Sequence, residues 1–224
     1  MSGTDTFSAR IQTAGAAMAL PVSDEQAATL QAYIGQLQRW NRTYNLTALR
    51  QPEQMLVQHV FDSLSIVGPI DKLLYKNTVN KPLIMDVGSG AGLPGVILAI
   101  MRPGWRIQCV DAVEKKMAFV RQMAGTLHLP NLQAVHGRIE KLAPAQAYIV
   151  VSRAFASLAD FASLAGRHVA PGGWLLAMKG VQPEEEIAEL AKQTDWRVVN
   201  VVPLQVPELD AQRCLVWMSR QGAV

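Results

Sequence analysis

The stretch Asp86-Val87-Gly88-Ser89-Gly90-Ala91-Gly92-Leu93-Pro94-Gly95 decides how the chain is read. It follows the short apolar run Leu83–Val87 and opens into the helical pattern of Pro94–Met101. A glycine-dense turn between strand and helix lets the backbone fold tightly and lets a ligand come close to it. Two ligand classes compete. Gly90-Ala91-Gly92-Leu93-Pro94-Gly95 fits the dinucleotide pattern G-x-G-x-x-G, and Asp111 stands about 20 residues on, where a ribose would be held. The strand, however, ends at Asp86–Val87, so the loop begins at Gly88 and that pattern is displaced. A pyrophosphate would also meet the Asp86 carboxylate, an unfavourable like-charge approach. S-adenosylmethionine presents an ammonium and a sulfonium and suits an acid at that position. No Gly-Lys-Ser/Thr closes the run, which excludes a P-loop. The residues favour the methyl donor, with a dinucleotide or a turn without ligand as the open alternatives.

Outward from this loop the chain alternates strand and helix. Arg106–Val110, Leu132–Val135, Tyr148–Val151 and Trp174–Met178 read as strands. Glu114–Leu127, Leu158–His168 and Pro183–Gln193 read as helices, and Pro171-Gly172-Gly173 as a turn. Arg197–Val202 and Cys214–Met218 follow with no helical period between them, which predicts an antiparallel pair at the edge of a mostly parallel sheet. The fold class is α/β with about seven strands.

Residues 1–80 read as a helical extension, 81–224 as the α/β domain, the whole forming one continuous domain. Ser23 and Gln26 have capping-box spacing, and Leu30, Ile34, Leu37, Trp40 and Tyr44 recur at helical intervals behind them. A second helix starts at Pro52 and turns Met55, Leu56, His59, Val60 and Leu64 to one face. The alanine-rich start carries no such signal. With 50% hydrophobic and 17% charged residues the chain can bury a sizeable core. Apolar runs such as Val96–Met101 fall far short of the ~20 residues of a membrane helix. The apolar stretch 14–20 lacks a preceding basic cluster and a good cleavage site, so a cytoplasmic location is expected. Two isolated cysteines offer neither a disulfide framework nor a zinc site, and no metal is expected. The net charge of +3 is uneven: residues 83–180 carry ten basic and five acidic side chains, whereas 181–224 carry four and seven. The basic middle leans toward an anionic partner such as nucleic acid.

Five blocks together are more specific than the loop alone: Trp40-Asn41-x-x-Tyr44-Asn45-Leu46-Thr47, His59-x-x-Asp62-Ser63, Asp86 to Gly95, Ser152-Arg153-Ala154-Phe155-Ala156-Ser157, and Met178-Lys179-Gly180. In these blocks the chain resembles the bacterial small-subunit ribosomal RNA guanine-N7 methyltransferase family, also called the glucose-inhibited division protein B family, over about residues 30–218. The resemblance implies a class I methyltransferase fold, S-adenosylmethionine, and N7 methylation of one guanine (position 527 in RNA numbering) in 16S ribosomal RNA. It implies donor contacts at Gly88, Leu93, Asp111, Ile139, Glu140 and Arg153. Asp86 and Gly90 join that set from the loop itself. The chain departs from the family after Asp111, where Ala112 and Val113 replace the usual hydroxyl residue.

The chemistry asks for little acid–base help. Guanine N7 has an exposed lone pair, so the enzyme's task is to align nucleophile, methyl and leaving sulfur. No Asp/Asn-Pro-Pro-Tyr/Phe follows the fourth strand, and Cys109 and Cys214 sit in apolar strands, which argues against amino-group or cytosine-C5 methylation. Arg138, Arg153 and Lys179 are expected at the carboxyl ends of strands three, four and five as one cationic catalytic rim, with Arg213 as a further cation. His59, Asp62 and Ser63 lack a nucleophile elbow and read as a hydrogen-bonded helix face rather than a hydrolase triad. Arg39, Trp40, Arg42 and Tyr44 read equally as an RNA-binding patch or as a core stripe with solvated arginines. Asn45-Leu46-Thr47 matches a glycosylation acceptor that a cytoplasmic chain does not use. A nicotinamide-dependent oxidoreductase and a non-catalytic RNA-binding or assembly protein are the alternative functions. The expected partner is 16S ribosomal RNA, naked or within the assembled or assembling subunit, met by a monomer.

Overall fold

A computed structural model describes residues 3–155, 157–220 and 222. Ala156 of the Ser152–Ser157 block therefore lies outside the described residues. The described amino-terminal segment is built of helices joined by short loops, and its alanine-rich start forms α1, Gly3–Ala17. Its turn-forming signals are weak, but Ile11 and Ala14 are buried, so tertiary packing supplies what the pattern lacked. Helix α2, Asp24–Tyr44, begins with the capping box: Gln26 N–H donates to Ser23 Oγ, and Ser23 N–H donates to the Gln26 side chain. The Gln26 amide also reaches the carbonyl of Met101, so one side chain caps two helices.

The helix expected from Pro52 is not uniform. It starts as α3 (Pro52–Met55), widens into a π-helical turn over Leu56–Phe61, and resumes as α4 (Asp62–Leu64) before α5 (Val67–Lys76). A π turn takes in one residue more than an α turn, and such turns often mark functional sites.

Beyond Leu83 the alternation appears as read, in the order β1 (Leu83–Val87), α6 (Gly95–Met101), β2 (Arg106–Asp111), α7 (Glu114–Thr126), β3 (Leu132–His136), β4 (Ala147–Ser152), α8 (Leu158–Ala165), β5 (Val169–Lys179), α9 (Glu184–Gln193), β6 (Trp196–Pro203) and β7 (Cys214–Arg220). One seven-stranded sheet has the order β3-β2-β1-β4-β5-β7-β6. All pairings are parallel except those of β7, which inserts antiparallel between β5 and β6. The turn expected at Pro171–Gly173 lies inside β5: the pairing with β4 jumps from Ala147↔Val169 to Ile149↔Trp174 and resumes beyond the bulge. Two core clusters cover the faces of the sheet. One joins Ile11, Leu30 and Val60 to Ile84, Leu98 and Leu176, so the amino-terminal helices and the sheet share a core. The other packs Met85, Val150 and Leu175 against Phe161 of α8 and Leu190 of α9.

This topology brings the carboxyl ends of β1, β2, β4 and β5 to one rim, where open α/β sheets bind ligands.

Candidate functional site

The glycine loop is fastened from three sides. Gly88 and Ser89 N–H donate to Val110 O at 2.8 and 3.1 Å, which ties the loop to β2. Ser152 Oγ donates to Val87 O at 2.7 Å and accepts from Ala154 N–H, which ties the end of β4 to the end of β1. The buried Tyr33 hydroxyl of α2 donates to Ala91 O at 2.8 Å. Gly88 sits at φ +69°, and a Cβ there would lie 2.7 Å from the Ala154 methyl, so only glycine fits.

Asp86 does not reach the ligand side of this loop. Its side chain is fully buried, and Oδ2 accepts from Gly95 N–H at 2.7 Å. Burial pushes its carboxyl up to about 7. The structure places Asp86, expected to contact the donor, behind the loop, where it props Gly95 and lines neither cavity in front. Gly95 allows this packing, since a Cβ there would meet Cys109 Sγ at 2.3 Å.

A cavity of about 340 Å³ opens in front of the loop, with Gly88, Asp111, Ile139, Glu140 and Phe155 among its walls. Asp111 ends β2 and is nearly buried. Its Oδ2 accepts from Gly90 N–H at 3.0 Å and its Oδ1 from Val113 N–H at 2.9 Å, while Lys116 Nζ stands 3.4 Å away. The Ile139–Glu140 pair sits on a 3₁₀ turn whose carbonyls are gripped from the far side by His168 Nε2 (3.0 Å) and Arg167. The residues present fit a nucleoside sulfonium such as S-adenosylmethionine, with an acid at one wall, apolar side chains at others and a glycine where the loop passes closest.

Next to it, a smaller depression of about 170 Å³ is lined by Gly88, Gly90, Leu93, His59 and Arg153. It leads into a basin of about 440 Å³ lined by His59, Asp62, Arg153, Lys179 and Arg213. Asp62, at the end of the π turn, is the centre of this basin. Its Oδ2 lies 2.7 Å from Arg153 Nη1 and its Oδ1 3.0 Å from Arg213 Nε. One nearly buried carboxylate thus holds two guanidinium groups, and Gln58 O adds a second acceptor for Arg153. Lys179 donates to Phe155 O and pairs with Glu186 at 2.9 Å.

His59 is held neutral. Burial, then the Arg153 charge, lower its pKa to about 4. Leu49 N–H donates to Thr47 Oγ1, and Thr47 Oγ1 lies 2.8 Å from His59 Nε2, so the hydroxyl donates to an unprotonated Nε2. The Nδ1–H then faces Gln58 O at 3.2 Å. Thr47 itself is placed by Asn41, whose Oδ1 accepts from Thr47 N–H and whose amide donates to Leu49 O. The Asn41–Thr47 block is therefore the arm that docks on His59, with Asn45 ending α2 in the left-handed region. Trp40 follows the core-stripe reading, packed on Phe119 and Tyr44 at 5.5 and 5.0 Å between ring centres.

The expected cationic rim is divided. Arg153, Lys179 and Arg213 share the basin, but Arg138 lines the cavity around Asp111, is 68% exposed, and faces Glu140 at 3.5 Å. Strand β3 lies two strands out from β1, which separates its end from those of β4 and β5. Sequence reasoning missed Tyr33 and His168, which act through backbone carbonyls and leave no motif, and it quoted Ser152 in a block without seeing that its hydroxyl ties β4 to β1.

This sheet order, with β7 reversed, a glycine loop after β1 and an acid ending β2, defines a class I S-adenosylmethionine-dependent methyltransferase fold. The chain is similar to a SAM-dependent methyltransferase from Aquifex aeolicus, with a TM-score of 0.55, 16% identity, and coverage of 78% of this chain and 96% of that one, a likeness of fold alone. The family model described as rRNA small subunit methyltransferase G matches residues 26–216. A ribosomal RNA small subunit methyltransferase G from Bordetella petrii is 60% identical over 224 residues, covering 100% of this chain and 87% of the relative. One from Leptothrix cholodnii is 50% identical over 203 residues, 90% of each. The chain belongs to the rRNA small subunit methyltransferase G family.

Proposed function

We propose that the protein transfers the methyl group of S-adenosylmethionine to N7 of a guanine in 16S ribosomal RNA, acting as a monomer in the cytoplasm. Family membership supports the activity, and the nicotinamide and non-catalytic alternatives find no comparable support. No helix among the described residues is long and apolar enough to cross a membrane. The observation that carries the site assignment is continuity. The cavity around Asp111 shares Gly88 and Ala154 with the small depression, and that depression shares His59 and Arg153 with the basin.

Bound in the first cavity, S-adenosylmethionine supplies an electrophilic methyl on a good leaving group. Asp111 is suited to accept the ribose hydroxyls, exchanging the backbone N–H groups that it now holds. Gly88 and Leu93 shape the passage, and Ile139 and Glu140 bound the base end. Arg153, common to passage and basin, is the residue that orients the target nucleotide against the donor. Its guanidinium is fixed by Asp62 and Gln58 O, so its free N–H edge can meet a carboxylate or a phosphate without first being ordered. Lys179 and Arg213 supply positive potential to the same basin. Neutral His59 adds no charge that would repel the cationic sulfonium.

The test is single-turnover transfer of a labelled methyl to small-subunit RNA, as naked RNA and as the subunit, followed by nucleoside mass spectrometry. Arg153→Lys keeps the charge and loses the planar fork. It should melt like the parent and transfer at least about tenfold more slowly, the loss of one good charged hydrogen bond. Transfer at the parent rate removes Arg153 from the centre of the site.

A further inference from the structure

A fourth cleft lies apart from these and shares no lining residue with them. It encloses about 340 Å³ between α5 and the strands β5, β7 and β6. Trp174 and Trp217 line it, their rings edge to face at 6.0 Å and 80°. Leu73 and Val202 extend the apolar wall. Both indole N–H groups are buried without a hydrogen-bond partner among the described residues, and Trp217 is only 6% exposed. At the lip stand Lys72 and Lys76, one helical turn apart on α5, both exposed and neither in an ion pair among the described residues. Asn200, the cross-strand neighbour of Trp217, offers a donor and an acceptor on the facing side.

An occupant that fills this cleft presents an apolar face to Leu73, Val202 and the indole rings, a hydrogen-bonding edge to Asn200 and negative charge to the lysines at the lip. A fatty carboxylate meets the lysines but offers only methylenes to Asn200. A nucleotide does both, since a base has a flat apolar face with ring acceptors in its plane and its phosphates stay outside. We propose that this cleft is a second RNA contact that takes one unstacked nucleotide of the substrate RNA, its flanking phosphates on Lys72 and Lys76. The inference rests on the reading of the chain as an RNA methyltransferase. Trp174 precedes Lys179 by about 16 Å along β5, at roughly 3.3 Å per residue, so the cleft and the basin hold different nucleotides of one RNA. The cleft thereby fixes where the RNA lies without touching the reacting atoms.

Two variants of the intact protein test this. Lys72→Ala/Lys76→Ala alters only exposed side chains. It should raise KM for small-subunit RNA at least threefold and flatten the salt dependence of RNA binding by about 1.4, at ~0.7 for each of two phosphates no longer neutralised. Its donor affinity and its single-turnover rate at saturating RNA should match the parent. Trp174→Phe keeps the apolar wall and removes one N–H. A short oligouridine should quench tryptophan fluorescence in the parent and quench it less in Trp174→Phe, at equal melting temperature. Unchanged KM and salt slope in the lysine variant overturn the proposal, as does undiminished quenching in Trp174→Phe. A parent that leaves RNA unmethylated would refute the functional reading instead, and the fluorescence titration, which needs no methyl transfer, would still decide the cleft.

Discussion

Replacing Asp62 by asparagine should separate positioning from attraction, because the two effects have opposite signs. In the parent, Oδ2 and Oδ1 of Asp62 each hold a guanidinium, at 2.7 Å from Arg153 and 3.0 Å from Arg213. Asparagine has one oxygen and one amide nitrogen, and the amide would point a donor at a donor. One of the two arginines must let go. A charge-assisted hydrogen bond is worth about 1.5–3 kcal/mol, and losing about 2 kcal/mol of orientation slows a step roughly 30-fold. Single-turnover methyl transfer at saturating RNA should therefore fall between about tenfold and a hundredfold. RNA affinity should move the other way. The variant removes a negative charge from a basin that holds Arg153, Lys179 and Arg213, so equilibrium binding should tighten at low salt and its salt dependence should steepen. Donor binding, centred on Asp111, should stay at the parent value by calorimetry. Rates are compared at a temperature where both proteins are folded, since two partly buried guanidiniums lose their counter-charge. Slower transfer with weaker RNA binding would mean that the basin has simply collapsed. Transfer at the parent rate would refute the role of Asp62 altogether.

Asp111→Ala should weaken S-adenosylmethionine binding at least about tenfold by calorimetry, through loss of charged hydrogen bonds worth ~1.5–3 kcal/mol each, and unchanged affinity would remove Asp111 from the site. Gly88→Ala places a methyl 2.7 Å from that of Ala154 on a residue at φ +69°, so about 1–2 kcal/mol of left-handed strain plus the clash should lower the melting temperature and weaken the donor together. The pH dependence of stability has two opposing parts. Asp86, raised to about 7, binds its proton more tightly in the folded state, so its share of stability rises as pH falls from 7 to 4. His59, lowered to about 4, is protonated first in the unfolded chain, so its share is lost as pH falls from about 6.5 to 4. Asp86→Asn deletes the first part, and relative to the parent its urea-unfolding stability should fall by on the order of 3–4 kcal/mol between pH 7 and 4. Parallel profiles for the two proteins would show that Asp86 is ionised normally.

The architecture was legible because its strands and helices are bounded by strong local signals. Ser23 and Gln26 announce α2, and the glycine run announces the β1–α6 turn. What local pattern could not show was decided by packing. Helix α1 is invisible in composition because alanine and glycine carry no periodicity, yet Ile11 finds a fully buried seat. The Pro171-Gly172-Gly173 signal is a genuine turn chemistry, expressed as a bulge because β4 keeps pairing on both sides of it. In the site, residues at strand ends could be placed from the sheet alone, which brought Arg153 and Lys179 together. The same logic misplaced Arg138, since distance across the sheet counts as much as the end of a strand. Asp86 was read as a donor contact because an acid beside a glycine loop suits an ammonium and a sulfonium, whereas its side chain turns into the core beneath Gly95. The hydrogen bond from Arg213 to Asp62 spans 151 residues of sequence, and no spacing rule reaches that far.

The π-helical turn at Leu56–Phe61 makes chain length, rather than side-chain identity, the sensitive variable in this stretch. In an ordinary α-helix each residue turns about 100°. Loss of one residue within the turn would let the helix from Pro52 to Leu64 close into regular α geometry, with better internal hydrogen bonding than before. Because the wide turn absorbs its extra residue, the flanking segments would keep their phase, and the change would fall on the turn itself, where Gln58 O and His59 are aimed at the basin. The shortened helix would be the more regular one, while Arg153 would lose the Gln58 carbonyl that the wide turn holds toward it. A single in-frame codon deletion at this point thus probes the wide turn itself, a change that a scan of substitutions alone would never visit.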